Sequence, residues 1–204
     1  MVSRNGYIKM DKTINYYNQH AQEFCENTKN ADMSHVLEKF IAHLPQNALI
    51  LDAGCGSGRD SKYFLEKGFQ VEAFDASEEL SKIASEHIGQ EVKCMTFQEM
   101  TDANKYDGIW ACASLLHVCK AELPDVMKRL VQALKENGML YVSFKYGDGE
   151  REKDGRFFSD YNEETVAELL NEAGVQVLEC FVTGDVRSGR GDEMWVNVIG
   201  RKGK

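Results

Sequence analysis

What this sequence lacks narrows it first. No apolar run exceeds the length of a strand, so nothing in the 204 residues is expected to span a membrane. The opening MVSRNGYIKMDK has no apolar core ahead of its first acidic residue, unlike a secretory leader, and the expected compartment is the cytoplasm. Six cysteines, at 25, 55, 94, 112, 119 and 180, form neither a C-x-x-C pair nor a cysteine-histidine ligand pattern. They read as reduced core thiols, with no metal site expected. A surplus of positive charge is missing too. The formal charge of -9 disfavours a broad phosphate-binding face, so a nucleic-acid partner is the weaker reading. No repeat, low-complexity segment or linker divides the chain, and a single domain over 1–204 is expected.

What is present is a chain with 43% hydrophobic and 28% charged residues, enough for a full core. Its centre is LDAGCGSGRDS, residues 51–61. The apolar run 48–51 reads as a buried strand that stops at Asp52 and opens into a loop with glycines at 54, 56 and 58. Glycine at alternate positions admits positive φ and lets backbone approach a ligand closely. Helical spacing follows over 59–67, so the bare N–H groups of a helix start face the loop. Strand, glycine loop and helix make a nucleotide-type site. The dinucleotide fingerprint G-x-G-x-x-G would serve an NAD-type oxidoreductase, but Arg59 stands at its third glycine.

Before this centre, residues 1–10 read as a loose tail with a turn at Asn5-Gly6. From Asp11 the positions Ile14, Tyr17, Ala21 and Phe24 give an amphipathic helix, and 34–44 a second one. After it come a strand at 70–74, a helix at 77–88 with Ser77 as N-cap, and strands at 91–94 and 106–112. A helix over 121–136 then stops at Asn137-Gly138 and hands over to a strand at 139–144. The stretch 145–161 lacks apolar periodicity and reads as a lid over the site or a disordered excursion. A helix at 162–173 and strands at 175–183 and 194–200, joined through one loop, close the chain as an antiparallel hairpin. Strands alternating with helices indicate an α/β fold.

The sequence D-x-G-x-G-x-G, with a carboxylate, Asp75, ending the next strand, resembles motif I of the class I S-adenosylmethionine (SAM)-dependent methyltransferases. The narrower likeness is to small bacterial type 11 or 12 enzymes, with some similarity to tellurite-resistance methyltransferases in GCGSGRDS. The resemblance implies a Rossmann-like, seven-stranded, mostly parallel sheet with helices on both faces and an antiparallel last strand. It implies SAM as cofactor, held by Asp52, Gly54, Cys55, Gly56, Gly58, Arg59, Asp75 and Ala76, with Asp75 on the ribose hydroxyls. Phe97 with Gln98 or Glu99 would lie beside the adenine, and Ala111 at the end of the motif IV strand. The leading helices at 1–46 would cover the site, placing Tyr16 or Tyr17 near the methionine end.

Methyl transfer from a sulfonium gains much from aligning acceptor, carbon and sulfur. A base helps only when the acceptor keeps its proton at neutral pH. His117, after the motif IV strand, and Tyr17 are the catalytic candidates. Arg156, Arg187 and Arg190 lie in the two loops expected to roof the acceptor side. Guanidinium forks suit oxyanions, so a small-molecule acceptor, anionic or a metalloid, is the expected substrate. A SAM-binding module without catalysis is the remaining alternative.

Overall fold

A computed structural model describes residues 4–187, 189–190 and 192–203. Strand β1, Leu49–Ala53, is buried along its last four residues, as strands are when helices cover both faces of a parallel sheet. It pairs in parallel with β2, Gln70–Asp75, on one side and β4, Tyr106–Ala111, on the other. With β3 (Lys93–Cys94), β5 (Leu134–Lys145), β8 (Val175–Gly184) and β9 (Met194–Lys202), the order is β3-β2-β1-β4-β5-β9-β8. Strand β9 runs against both of its neighbours, and the other strands of this sheet are parallel. The order reverses between β1 and β4, which is where such sheets open a crevice beyond their carboxyl ends.

Side-chain alternation divides the core between the two faces. Leu51, Ile109, Leu140 and Val198 belong to one cluster, joined by Leu130 and Val126 of α6 (Leu123–Ala133) and Val166 of α7 (Glu163–Glu172). Ile50, Trp110, Tyr141 and Ile199 belong to the other, joined by Phe64 of α4 (Arg59–Glu66) and Phe40 of α3 (Ser34–Ile41). Trp110 stacks on Tyr141 with ring centroids 3.8 Å apart. Helix α5, Glu78–Ile88, starts at Ser77, whose Oγ accepts from Leu80 N at 3.2 Å. No helix among the described residues is long and apolar enough to cross a membrane.

Four local expectations are corrected. The expected loose tail is already helical in α1, Arg4–Gln19, and the chain breaks at His20 before α2, Ala21–Thr28. Asn5-Gly6 makes no turn because neither residue forbids a helix; glycine there costs only about 1 kcal/mol. Helix α6 ends at Ala133, not 136. Leu134 is fully buried opposite Tyr106, and the amides of Asn104 and Lys105 donate to the freed carbonyls of Gln132 and Ala133 at 2.8 Å each. The excursion at 145–161 is an ordered hairpin of β6, Glu150–Lys153, and β7, Arg156–Ser159. Asp154 and Gly155 both take positive φ, 51° and 76°, which matches the twist of a two-residue hairpin turn. Finally, Cys94 and Cys180 are exposed, not core thiols. Each sits on a strand at an edge of the sheet, β3 or β8, where one flank has no neighbour among the described residues.

Candidate active site

The glycine loop is built against its surroundings. Gly54 has φ +79°, and a Cβ there would stand 2.4 Å from Ser114 Cβ; at Gly56, φ +57°, a Cβ would meet the Phe24 ring at 3.0 Å. The amides of Gly54 and Cys55 both donate to Phe74 O, at 2.9 and 3.0 Å, which ties the loop to the end of β2. Asp75 follows, its Oδ2 accepting from Gly56 N and its Oδ1 from Ser77 N, each at 2.8 Å. The carboxylate is thereby fixed with lone pairs left for further donors. Burial nevertheless raises its pKa, the backbone bonds opposing. Gly58, expected at the cofactor, instead begins α4 in the left-handed region, and a Cβ there would meet Ile88 and Ala84 at 3.1 and 3.2 Å. This is a point of close approach between α4 and α5.

Beyond the loop lies a buried polar group. Asp52 is 2% exposed, and its Oδ2 accepts from Ser61 Oγ at 2.6 Å. Burial, and next the negative Asp60, raise its pKa well above the carboxylate range, with Ser61 opposing. Arg59, expected to receive a carboxylate, is engaged by its neighbour Asp60 through Nε at 2.7 Å and Nη2 at 3.0 Å. Its Nη1 reaches Thr28 O at 3.4 Å. Asp60 also accepts from Trp110 Nε1 at 3.0 Å, which anchors the pair to the core.

A cavity of about 830 Å³ joins these groups to the hairpin roof. At one end Leu80, Met95, Phe97 and Gln98 line it beside Asp75 and Ala76. Phe97 is held edge-on by Phe74, centroids 5.2 Å apart. Glu99 is not among the lining residues: its Oε2 accepts from Thr96 N at 2.7 Å and Thr96 Oγ1 at 2.9 Å, closing a capping box. Ala111 is fully buried within the sheet, and Cys112, Ala113 and Ser114 line the cavity in its place. Burial raises the Cys112 thiol to about 12. Tyr16 lies outside the lining, stacked on His20 at 4.2 Å.

At the roofed end stand Tyr17, His117, Arg156 and Phe158. Tyr17 Oη is 2.9 Å from His117 Nε2, and His117 Nδ1 is 2.6 Å from the Phe157 carbonyl. Burial lowers the imidazole pKa to about 4; the Phe157 bond opposes this and the Arg156 charge adds to it. Burial also raises the Tyr17 pKa, with Arg156 opposing. Arg156 packs its guanidinium over the Tyr16 ring at 4.5 Å, and its buried Nε has no hydrogen-bond partner. Arg187 differs: its Nε and Nη2 grip Asp185 at 2.8 and 2.5 Å. Lys145 bridges Asp185, at 3.0 Å, and Glu193. Burial works against ionisation of Asp185, yet the Arg187 and Lys145 hydrogen bonds hold it far below the usual carboxylate range. Arg190 lies 3.8 Å from Glu193. Ser114 lines the cavity from the loop after β4, its Oγ donating to Ala53 O at 2.7 Å; the Arg151–Asp160 pair at 2.6 Å across the hairpin carried no sequence signal.

The residues present fit SAM. The glycine cradle would be filled by any Cβ, Asp75 is fixed with free lone pairs, and the buried Asp52 carboxyl lies beside the loop, where a bound cationic group would favour its ionised form. Comparison with known proteins agrees. The Methyltransferase domain family model matches residues 17–179. The putative methyltransferase YqeM of Bacillus subtilis is 30% identical over 118 residues, covering 52% of this chain and 48% of its own. The ubiquinone biosynthesis O-methyltransferase of Idiomarina loihiensis is 30% identical over 104 residues, 46% of this chain and 41% of its own. This chain spans about half the length of the curated relatives it matches. In fold, it is similar to the Burkholderia thailandensis 1,6-didemethyltoxoflavin-N1-methyltransferase, crystallised with 1,6-didemethyltoxoflavin and S-adenosylhomocysteine. That likeness has a TM-score of 0.81 and 23% identity, over 100% of this chain and 92% of the other. With motif I, Asp75 and the 3-2-1-4-5 run of strands in place, the chain belongs to the methyltransferase-domain family, the class I SAM-dependent methyltransferases.

Proposed function

We propose that the protein methylates a small molecule carrying an anionic group beside the atom that receives the methyl. The single observation behind this reading is Arg156: a guanidinium on the cavity wall with a buried Nε lacking any partner. Its nearest carboxylate, Asp154, is 3.9 Å away. A buried unpaired donor costs about 1–3 kcal/mol, a cost that a bound oxyanion removes through charge-assisted hydrogen bonds. Arg187 and Arg190 contribute less, since Asp185 and Glu193 already balance them, and they serve to shape the wall.

The cavity size suits a drug-sized ligand, and the neighbour crystallised with 1,6-didemethyltoxoflavin supports an acceptor of that scale. When bound, SAM supplies the methyl group, the acceptor's electron pair forming the new bond to carbon while the carbon–sulfur pair stays on sulfur. The protein's share is alignment of the two reactants and exclusion of water beneath the hairpin. Asp75, Phe97 and Gln98 would hold the adenosine, while Asp52 and the Gly54–Gly56 backbone would hold the amino-acid end.

The test is incubation of a small-metabolite extract, a peptide pool and tellurite, each with isotopically labelled SAM. Label in an acidic metabolite, lost in Arg156→Met, is the expected result. Label confined to peptides or to a tellurium product would overturn the proposal.

A further inference from the structure

The hydrogen bonds around His117 determine which of its nitrogens carries the proton. Phe157 O can only accept, so Nδ1, 2.6 Å away, carries the hydrogen. With a pKa near 4 the ring is neutral at pH 7, and Nε2 is therefore a bare lone pair. That lone pair, 2.9 Å from Tyr17 Oη, leaves the hydroxyl one direction in which to donate. Arg156 engages one lone pair of the phenol oxygen and a second is left for an incoming proton; both residues line the cavity alongside Arg156.

From this geometry we infer that Tyr17 and His117 form a proton relay for an O–H or N–H acceptor. The phenol oxygen takes the acceptor's proton as its own hydrogen passes to His117 Nε2. The inference rests on the proposed small-molecule acceptor entering beside Arg156. The charges balance: one positive charge leaves the sulfonium as the methyl departs, and one appears on the imidazolium, while Tyr17 begins and ends neutral. His117 is a poor base in the resting site, pressed down by burial and by Arg156. It would gain basicity as an anionic acceptor offsets the Arg156 charge. A metalloid oxyanion or a thiolate would have no use for the pair. The groups facing the imidazole are Tyr17 from α1 and, from β7, Arg156, the Phe157 carbonyl and the Phe158 ring, whose centroid is 5.1 Å away.

Two measurements test the relay. Long-range ¹H–¹⁵N spectra of the labelled protein saturated with S-adenosylhomocysteine should show His117 as the neutral Nδ1–H tautomer at pH 7. An Nε2–H tautomer, or an imidazolium, would overturn the relay, and this readout needs no knowledge of the acceptor. In the metabolite-extract assay, Tyr17→Phe and His117→Gln should each slow product formation by roughly 10²–10⁴ at pH 7, as loss of general-base help does. S-adenosylhomocysteine affinity, by calorimetry, should stay within about twofold. The residual rate should climb about tenfold per pH unit, because only ionised acceptor then reacts. A packing role would lower the rate by one factor at every pH, and that result would overturn the relay. An extract yielding no labelled metabolite would instead sink the acceptor reading, leaving the tautomer measurement to judge the pair.

Discussion

Gly54→Ala tests how tightly the glycine loop is fitted to the loop that follows β4. The new Cβ would stand 2.4 Å from Ser114 Cβ and 3.1 Å from its Oγ, where carbon pairs prefer about 3.5–4.0 Å. Ser114 cannot easily yield. It is 9% exposed, and its hydroxyl is fixed on Ala53 O at 2.7 Å. Overpacking of this kind costs about 1–3 kcal/mol, and alanine at φ +79° adds about 1–2 kcal/mol. The substitution should therefore destabilise by about 2–5 kcal/mol, read from urea unfolding, and weaken SAM binding in calorimetry. Pairing it with Ser114→Gly removes the collision but not the backbone strain. The double-mutant cycle should accordingly return a favourable coupling of about 1–3 kcal/mol. Additivity to within about 0.5 kcal/mol would refute the view that Ser114 is what confines this position to glycine.

Asp75→Asn should remain folded and lose about 10- to 100-fold in SAM affinity by calorimetry, the worth of charge-assisted hydrogen bonds; parental affinity would count against its role at the ribose. For His117, the folded pKa of about 4 lies below the ordinary 6.5, so the unfolded chain binds the proton more readily. Stability should be full above pH 6.5 and fall by about 3 kcal/mol as pH drops to 4, and His117→Gln should flatten that limb of the urea-midpoint profile. Gly155→Ala, at φ +76°, should cost about 1–2 kcal/mol while leaving SAM affinity unchanged, because the hairpin turn stands apart from the cofactor end.

The parallel core was legible because its signals are local. Short apolar runs, the glycine loop and Asp75 each sit within a few residues of the feature they determine, and the antiparallel end of the sheet was readable from two strands sharing one loop. The roof was less so. Residues 145–161 carry charged and polar groups whose partners lie across the hairpin or on other elements, such as Arg151 with Asp160 and Phe157 N with Thr13 Oγ1 at 3.0 Å, and no spacing rule reveals those. The same holds in the site. Arg187 and Glu99 look like ligand contacts in one dimension, but each has a local partner, Asp185 or Thr96, that claims it first. Arg156 looks no different in sequence, and only the packed structure shows it without such a partner at Nε.

Where the hairpin enters the chain has a consequence for change over time. It leaves the sheet after Lys145 and returns through a lone bridge between Tyr146 and Tyr161, and its own strands pair only with each other. Changes of length at its turn, Asp154–Gly155, would reshape the ceiling of the chamber without touching a rung of the main ladder, whereas Phe158 packs into the core and Ser159 Oγ donates to Val118 O. The tip of this hairpin is therefore freer to vary than the glycine loop.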